Sequence, residues 1–325
     1  MYLIANRWYV VLTEEEIPLH GTLGTKRLGH DVVFWRGHGG EVCAALDICP
    51  HRRAKLSLGQ VKDGNLECPF HGFQFDTSGD CAAIPAHPGK PISGAMSLCT
   101  LSVRVEHGFV WIWTGPDPAP APEEPVPFFD FTGYSCTGSA FSSSVDAHYS
   151  RAIENQLDFA HLSFVHRSTI GRFITENIDL VCEVGGDQIR AHLGEDASLI
   201  QFIGPNIWRS HTRGLWQFLA FVPVDETTTR YYVRTYQRMV TVPVLDWMLG
   251  KLNVMINGLV LREDNRVIET QPASETRLRM GEVLVPSDAA IISYRRWREK
   301  RRFLFSPGRR LRVIPSTVDT YESMG

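Results

Sequence analysis

The feature that most constrains this chain is the stretch from Cys49 to Gly72, which holds two mirrored pairs of metal-ligand residues, Cys49-x-His51 and Cys68-x-x-His71. Each pair joins a soft thiolate to an imidazole. Pro50, Pro69 and Gly72 bracket the pairs, so each is expected at the tip of a tight loop. A fold that uses both pairs together must bring two loop tips to one end of a small, turn-rich unit.

Two thiolates and two imidazoles are the ligand set of a Rieske-type [2Fe–2S] centre, with the Cys pair on one iron and the His pair on the other. Neutral imidazoles leave such a cluster less negative than an all-Cys one, so it accepts an electron more readily. Zinc takes the same ligand types. Zinc fingers, however, pair like with like, whereas each pair here is mixed. Four unrelated core residues would have no reason to repeat a Cys/His order inside two Pro/Gly turns.

At 325 residues the chain makes one large domain or two ordinary ones. Its 43% hydrophobic and 21% charged residues exclude disorder for the bulk, and a net charge of -3 gives no support to nucleic-acid binding. Beyond Cys49 and Cys68, the remaining cysteines (Cys43, Cys81, Cys99, Cys136 and Cys182) are scattered and frame no disulfide pattern, which fits a cytoplasmic compartment. The N-terminal residues lack the features of a leader, and no stretch is expected to reach membrane-span length, so no membrane association is expected. Residues 1–115 read as short β-branched and aromatic strands, such as Trp8 to Leu12 and Val110 to Trp113, separated by Gly-rich turns. A polyproline-like run, 116–127, is the expected linker. Residues 128–325 read as α+β: helices from His148 to about His166, Pro243 to about Ala273 and Ser287 to Arg302, with strands in 181–203, 215–224 and 230–240 between them. The run Arg295 to Arg302 is expected to be a solvated helix face, with a docking surface for an acidic redox partner as the alternative.

A second metal site is carried by 152–166. Asn155, Asp158 and His161 are spaced three apart and share a helix face. His166 lies about 140° round from His161 on an ideal helix, so the helix must bulge or end between them. Two His and one carboxylate form the facial triad of non-haem Fe(II) oxygenases. Asp158 and Asp264 compete for the third position. Three ligands from one short segment would hold the metal from one side, whereas Asp264, on a distant helix and in phase with Val260 and Ile268, would clamp it. Glu263 is rotated about 100° away.

These motifs together resemble the oxygenase component of the Rieske non-haem iron oxygenases. The resemblance covers nearly the whole chain: C-x-H…C-x-x-H in the first third, N-x-x-D-x-x-H-x4-H in the middle, and Glu263-Asp264 with Glu269 and Gln271 towards the end. It is closest in character to the short branch of dicamba- and vanillate-type O-demethylases and steroid or alicyclic hydroxylases. The resemblance implies a Rieske β domain followed by a helix-grip catalytic domain, a homotrimer, and NAD(P)H electrons delivered by a separate reductase, often through a ferredoxin. It implies a small apolar substrate that is hydroxylated or oxidatively demethylated with O2. Ring cis-dihydroxylation is the alternative chemistry; a Rieske electron carrier and a ligand-binding module are the other classes. It places the mononuclear Fe(II) on His161, His166 and Asp264, with Asn155 beside it. It also implies that Asp158 bridges His161 to His71 of the partner subunit. Arg53, Lys55, Phe70 and Phe73 depart from the family's usual residues around the cluster. Phe202, Trp208, Trp216, Phe218, Val254 and Leu259 are candidate pocket walls, more than half of them expected to be ordinary core. Pro205 to Trp208 is a candidate loop over the mouth of the site.

Overall fold

In the computed structural model, which describes residues 1–115, 121–136, 139–171, 180–193, 199–212 and 214–307, the aromatic and β-branched runs of the first third become three small antiparallel sheets. Val103–Glu106, Phe109–Trp113 and Trp8–Thr13 form one; Thr100–Leu101, Val42–Leu46, His30–Arg36 and Thr22–Arg27 a second; Gln60–Lys62, Asn65–Glu67, Gln74–Phe75 and Cys81–Ala83 a third. At the turn His107-Gly108 both residues have positive φ, 57° and 69°, the mirror-image turn whose twist matches that of the strands it joins.

Strand His30–Arg36 explains how one small unit serves two purposes. Successive side chains of a strand point to opposite faces. Val32 and Phe34 enter a large core shared with the second half of the chain, whereas Val33 and Trp35 enter a separate core with Cys49, Leu56, Leu66, Cys68 and Phe75. That second core lies under the ligand loops.

The second half is built on a seven-stranded antiparallel sheet in the order Ala140–Val145, Thr229–Gln237, Leu215–Pro223, Ile207–Thr212, Leu199–Ile203, Gln188–Leu193, Leu180–Gly185. Four α-helices occur among the described residues: α1 (Tyr149–Leu157), α2 (Leu162–Val165), α3 (Pro243–Ile268) and α4 (Ala289–Glu299). The helix expected over 148–166 is therefore two. α1 stops at Asp158, whose backbone is extended (φ -88°, ψ 115°) and whose Oδ1 accepts the Ala160 N–H at 2.8 Å. The break falls over 158–161, before His161 rather than between the two histidines; α2 stands between them, and the backbone leaves helical geometry at His166 (φ -98°, ψ 25°).

Membrane-span length was not expected anywhere, yet α3 is long and apolar enough to cross a membrane. In this fold it lies against the sheet instead, held through Asp246, Asn257 and Asp264. Residues 116–120 of the expected linker and 308–325 of the Arg-rich tail lie outside the described residues. From 121 to 131 the chain forms no strand, and the Arg104 guanidinium binds the carbonyls of Glu124 and Pro122.

The two halves are tied tightly. Tyr2–Ile4 pairs with Arg302–Leu304, joining the start of the chain to its far end. Asn206, fully buried, donates to the carbonyls of Val10 (2.9 Å) and Phe221 (3.1 Å). Pro205 to Trp208 is thus a buried inter-domain tie rather than a loop over a mouth. An Asn with its hydrogen bonds satisfied inside a core leaves no cause to open.

Candidate cluster-binding and metal centres

The two ligand loops have the same shape. Cys49 N–H donates to Ala54 O (2.8 Å) and Arg53 N–H to Cys49 O (3.0 Å); Cys68 N–H donates to Phe73 O (2.8 Å) and Gly72 N–H to Cys68 O (3.0 Å). The fifth residue of each loop has positive φ, 70° at Gly72 and 62° at Arg53. Glycine is at ease there, and Arg53 is not. Cys49 and Cys68 are buried while His51 and His71 are exposed, their rings 4.7 Å apart between centroids. Sulfur therefore lies inside and imidazole at the tip. Phe73 stacks on His51 at 4.7 Å, and Phe70 lies against His71 at 4.0 Å. Burial pushes the Cys49 thiol up to about 11, with the N–H groups of His51 and Arg52 opposing and the Cys68 thiol adding to the rise.

At the second centre, α2 carries His161 and His166 at its two ends and α3 carries Asp264. Asp264 Oδ1 lies 3.4 Å from His161 Nε2 and 3.0 Å from His166 Nε2. One ligand atom from each of the three comes within 4.8 Å of the others, and they are the one such group among the described residues. The Cys49, His51, Cys68 and His71 set does not converge in this way. That suits ligands divided between two irons better than ligands meeting on one zinc. Asp264 Oδ1 and both ring nitrogens of His161 are buried without a hydrogen-bond partner. Buried polar atoms are rarely left so. A carboxylate and two imidazoles facing one another, with the atoms of two of the three unpaired, are the donor set of a mononuclear iron site, so the residues fit that metal. Burial alone would raise Asp264, but the two imidazoles hold its carboxyl well below the usual carboxylate range.

Two further residues hold the ligands, and sequence reasoning did not find them in that role. Gln156 Nε2 donates to Asp264 Oδ2 at 3.0 Å, which leaves Oδ1 to face the histidines. Glu263 accepts from His166 Nδ1 at 2.8 Å, and Thr169 (2.7 Å) and Ser168 (3.0 Å) bind the same carboxylate. Glu263 thereby fixes the tautomer that presents His166 Nε2 to the site. Asp158 lies on the outer side, its Oδ2 3.8 Å from His161 Nδ1, and burial raises its carboxyl with His161 partly opposing. Asn155 and Asp158 line a polar cavity of about 300 Å³ with Arg151, Glu154, Glu282 and Arg295.

Comparison with known proteins matches both halves of the chain to families. Residues 7–99 match the Rieske [2Fe-2S] domain, and 145–205 and 206–302 match the vanillate O-demethylase oxygenase C-terminal domain. A vanillate O-demethylase oxygenase subunit from Pseudomonas sp. (strain HR199 / DSM 7063) is 31% identical over 67% of this chain, which spans 62% of that protein's length. Methylxanthine N1-demethylase NdmA from Pseudomonas putida is 29% identical over 89% of this chain and 87% of its own. The NdmA structure superposes with a TM-score of 0.75 at 26% identity, covering 90% of this chain and 89% of that one. Dicamba monooxygenase bound to dicamba shares the fold, with a TM-score of 0.77 at 23% identity over 92% and 98% of the two chains.

This chain belongs to the Rieske non-haem iron oxygenases.

As a Rieske oxygenase of the demethylase and monooxygenase kind, it uses a [2Fe–2S] cluster and a mononuclear iron, with electrons from NAD(P)H arriving through a reductase. One expectation about its surface fails. Arg295 and Arg298 are buried rather than solvated: Arg295 grips Glu154 with two hydrogen bonds of 2.9 and 2.7 Å, and Arg298 binds Glu275 and the Thr276 carbonyl. Of the candidate pocket walls, Phe202 packs on Tyr294 and Trp297, Phe218 joins an aromatic core with Phe109 and Phe128, and Leu259 points outward. Trp208 alone among them is tied to α1, through Nε1 to the Gln156 carbonyl at 3.0 Å.

Proposed function

We propose that this oxygenase removes, as formaldehyde, a methyl group carried on oxygen or nitrogen of a small aromatic molecule. Dioxygen is the oxidant. One oxygen atom enters a methyl C–H bond and the other leaves as water, with two electrons and two protons consumed. The hydroxymethyl product then breaks its C–O or C–N bond, releasing formaldehyde and the demethylated molecule. The relatives named as O- and N1-demethylases support this class of substrate.

The observation that carries the reading is the convergence of His161, His166 and Asp264, with the ring nitrogens of His161 and Oδ1 of Asp264 buried and unpaired. In this reading these three hold the iron, and Cys49, His51, Cys68 and His71 hold the cluster. The iron, when bound, supplies open positions at which dioxygen and substrate meet. Gln156 and Glu263 orient its ligands, and Asn155 stands beside it. Asp158 bridges His161 to His71 of the partner subunit in a head-to-tail homotrimer. The partly exposed carboxylate, 3.8 Å from His161 Nδ1, supports that role. A carboxylate between two imidazoles fixes both tautomers and gives electrons a short hydrogen-bonded route. A ferredoxin between reductase and oxygenase, a cytoplasmic location and a domain division at 1–115, 116–127 and 128–325 complete the reading. The absence of disulfides among the cysteines suits that compartment.

Iron and product analysis test it together. Three irons per chain and formaldehyde formed in step with a demethylated product are expected when O2, reductant and methoxy- or N-methyl-arenes are supplied. Two irons would indicate an electron carrier, and a cis-diol product would replace demethylation with ring dihydroxylation.

A further inference from the structure

α3 is built inside out over its first seventeen residues, from Pro243 to Leu259. An ordinary surface helix turns its apolar stripe to the core and its polar face to water. Here the residues facing the sheet are polar or small. Asp246 accepts from Gln237 Nε2 at 2.6 Å, Asn257 accepts from Gln217 Nε2 at 2.6 Å and donates to Thr235 Oγ1 at 3.1 Å, and Gly250 is buried between them. The opposite face carries Val244, Met248, Leu252, Met255 and Leu259, with Trp247 on its flank, all between 41 and 66% exposed. Nothing among the described residues covers them, and the helix is secured without them.

We infer that this face is a two-fold interface with a second copy of the chain, α3 lying antiparallel on α3. Three observations carry the occupant. First, steps of four, four, three and four residues make one straight seam, the spacing of helices that pack along their length. Second, the seam is symmetric about a point between Lys251 and Leu252: Val244 and Leu259 are equidistant from it, as are Met248 and Met255. An isologous contact requires self-complementarity of this kind, residue i meeting j while j meets i. Third, half-exposed side chains of this size leave about 100 Å² each. With Leu245, Val242 and Met239 beside them, the face amounts to roughly 800 Å², the share one partner gives to a standard stable interface. That is more than most monomers leave open.

Charge sets the direction. Arg262 and Arg266 follow the seam on the same exposed side. Parallel helices would set these arginines against their own copies, whereas antiparallel ones carry them to opposite ends. Lys251 sits beside the axis with its ammonium 5.7 Å from the Trp247 ring centroid, and a long stem lets it reach the rim. This contact pairs like with like. It is therefore separate from a head-to-tail contact between His71 and Asp158, which pairs unlike surfaces.

The test is the mass of the full-length protein in solution, measured by light scattering on a sizing column, for wild type and for Met248→Glu/Met255→Glu. Wild type should be an even multiple of the chain, a dimer or a hexamer, and the double variant should halve it with cluster absorbance and iron content unchanged. A Leu252→Cys variant should cross-link to a dimer on mild oxidation, whereas Arg262→Cys should not. A monomeric or trimeric wild type, or an unchanged mass in the double variant, overturns the proposal. So does a wild type that floats with phosphatidylcholine/phosphatidylglycerol vesicles while the double variant keeps its mass and stays behind, which would assign the face to lipid.

Discussion

Asp264, buried, and Asp158, partly exposed, are both carboxylates near His161, and they face different tasks. Asp264 sits between two imidazole nitrogens, so Asp264→Ala should cost the mononuclear iron and leave the cluster reducible. Asp158→Asn should keep all three irons, yet chemically reduced cluster should fail to drive a single turnover of substrate. Metal analysis with cluster absorbance and rapid-quench product formation separates the two, and the reverse pattern would exchange their roles. Glu263→Gln keeps size but weakens the acceptor that holds His166 Nδ1–H, so iron affinity should fall about 10–100-fold. Competition with a chelator measures this without turnover. Asp264 was legible in the sequence because helical phase put it with Val260 and Ile268. The same phase reading counted Val267 as buried, and Val267 is exposed while Leu261 is the buried neighbour. Gln156 and Glu263 were not legible as holders of the ligands. Their partners lie 108 and 97 residues away, and no local pattern encodes a hydrogen bond across such a distance.

At the scale of elements, α4 shows how charge counting can mislead. A run of cations reads as a solvated face. Arg295 and Arg298 instead hold α4 to α1 and to the segment around Glu275. Composition cannot see this, because Glu154 is 141 residues from Arg295, and Glu282 and Glu275, 13 and 23 residues from their arginines, lie outside the helix and reach them only after folding. Arg295→Met should destabilise the protein by about 3–5 kcal/mol, since it takes both hydrogen bonds from buried Glu154 and leaves it only Arg151 at 3.6 Å. A paired Arg295→Met/Glu154→Leu variant should recover much of that in denaturant unfolding. The same cluster gives a pH dependence. Burial would raise Glu282, but Arg295 and Arg151 hold its carboxyl below the usual range. A carboxylate lowered in the folded state stabilises fully above its unfolded value, near pH 4.5, and the contribution fades as pH falls below it. Thermal melts should therefore lose more stability between pH 5 and 3 in wild type than in Glu282→Gln. The strand-rich first third, by contrast, was plain in the sequence, since turns such as His107-Gly108 and apolar runs such as Val32 to Trp35 are local signals.

For the whole molecule, the two domain signatures were readable but their union was not. Tyr9, Val10, Phe109 and Trp111 join one core with Phe218, Phe221 and Tyr232. A fragment of residues 1–115 would bare that surface, so it should aggregate or lose its cluster, while the full chain stays monodisperse; sedimentation of both decides it. The cluster loops hold sulfur inside and imidazole at the tip, and this has a consequence for traffic. An electron reaches the cluster and leaves it through one small doorway formed by His51 and His71. If His71 is docked on Asp158 of the partner subunit, a donor has only the His51 side left to approach. Arrival and departure then compete for space, and a donor that lingers blocks delivery. Stopped-flow turnover against rising donor concentration should climb, peak and then decline, whereas a plain saturation curve would mean that two separate doorways exist.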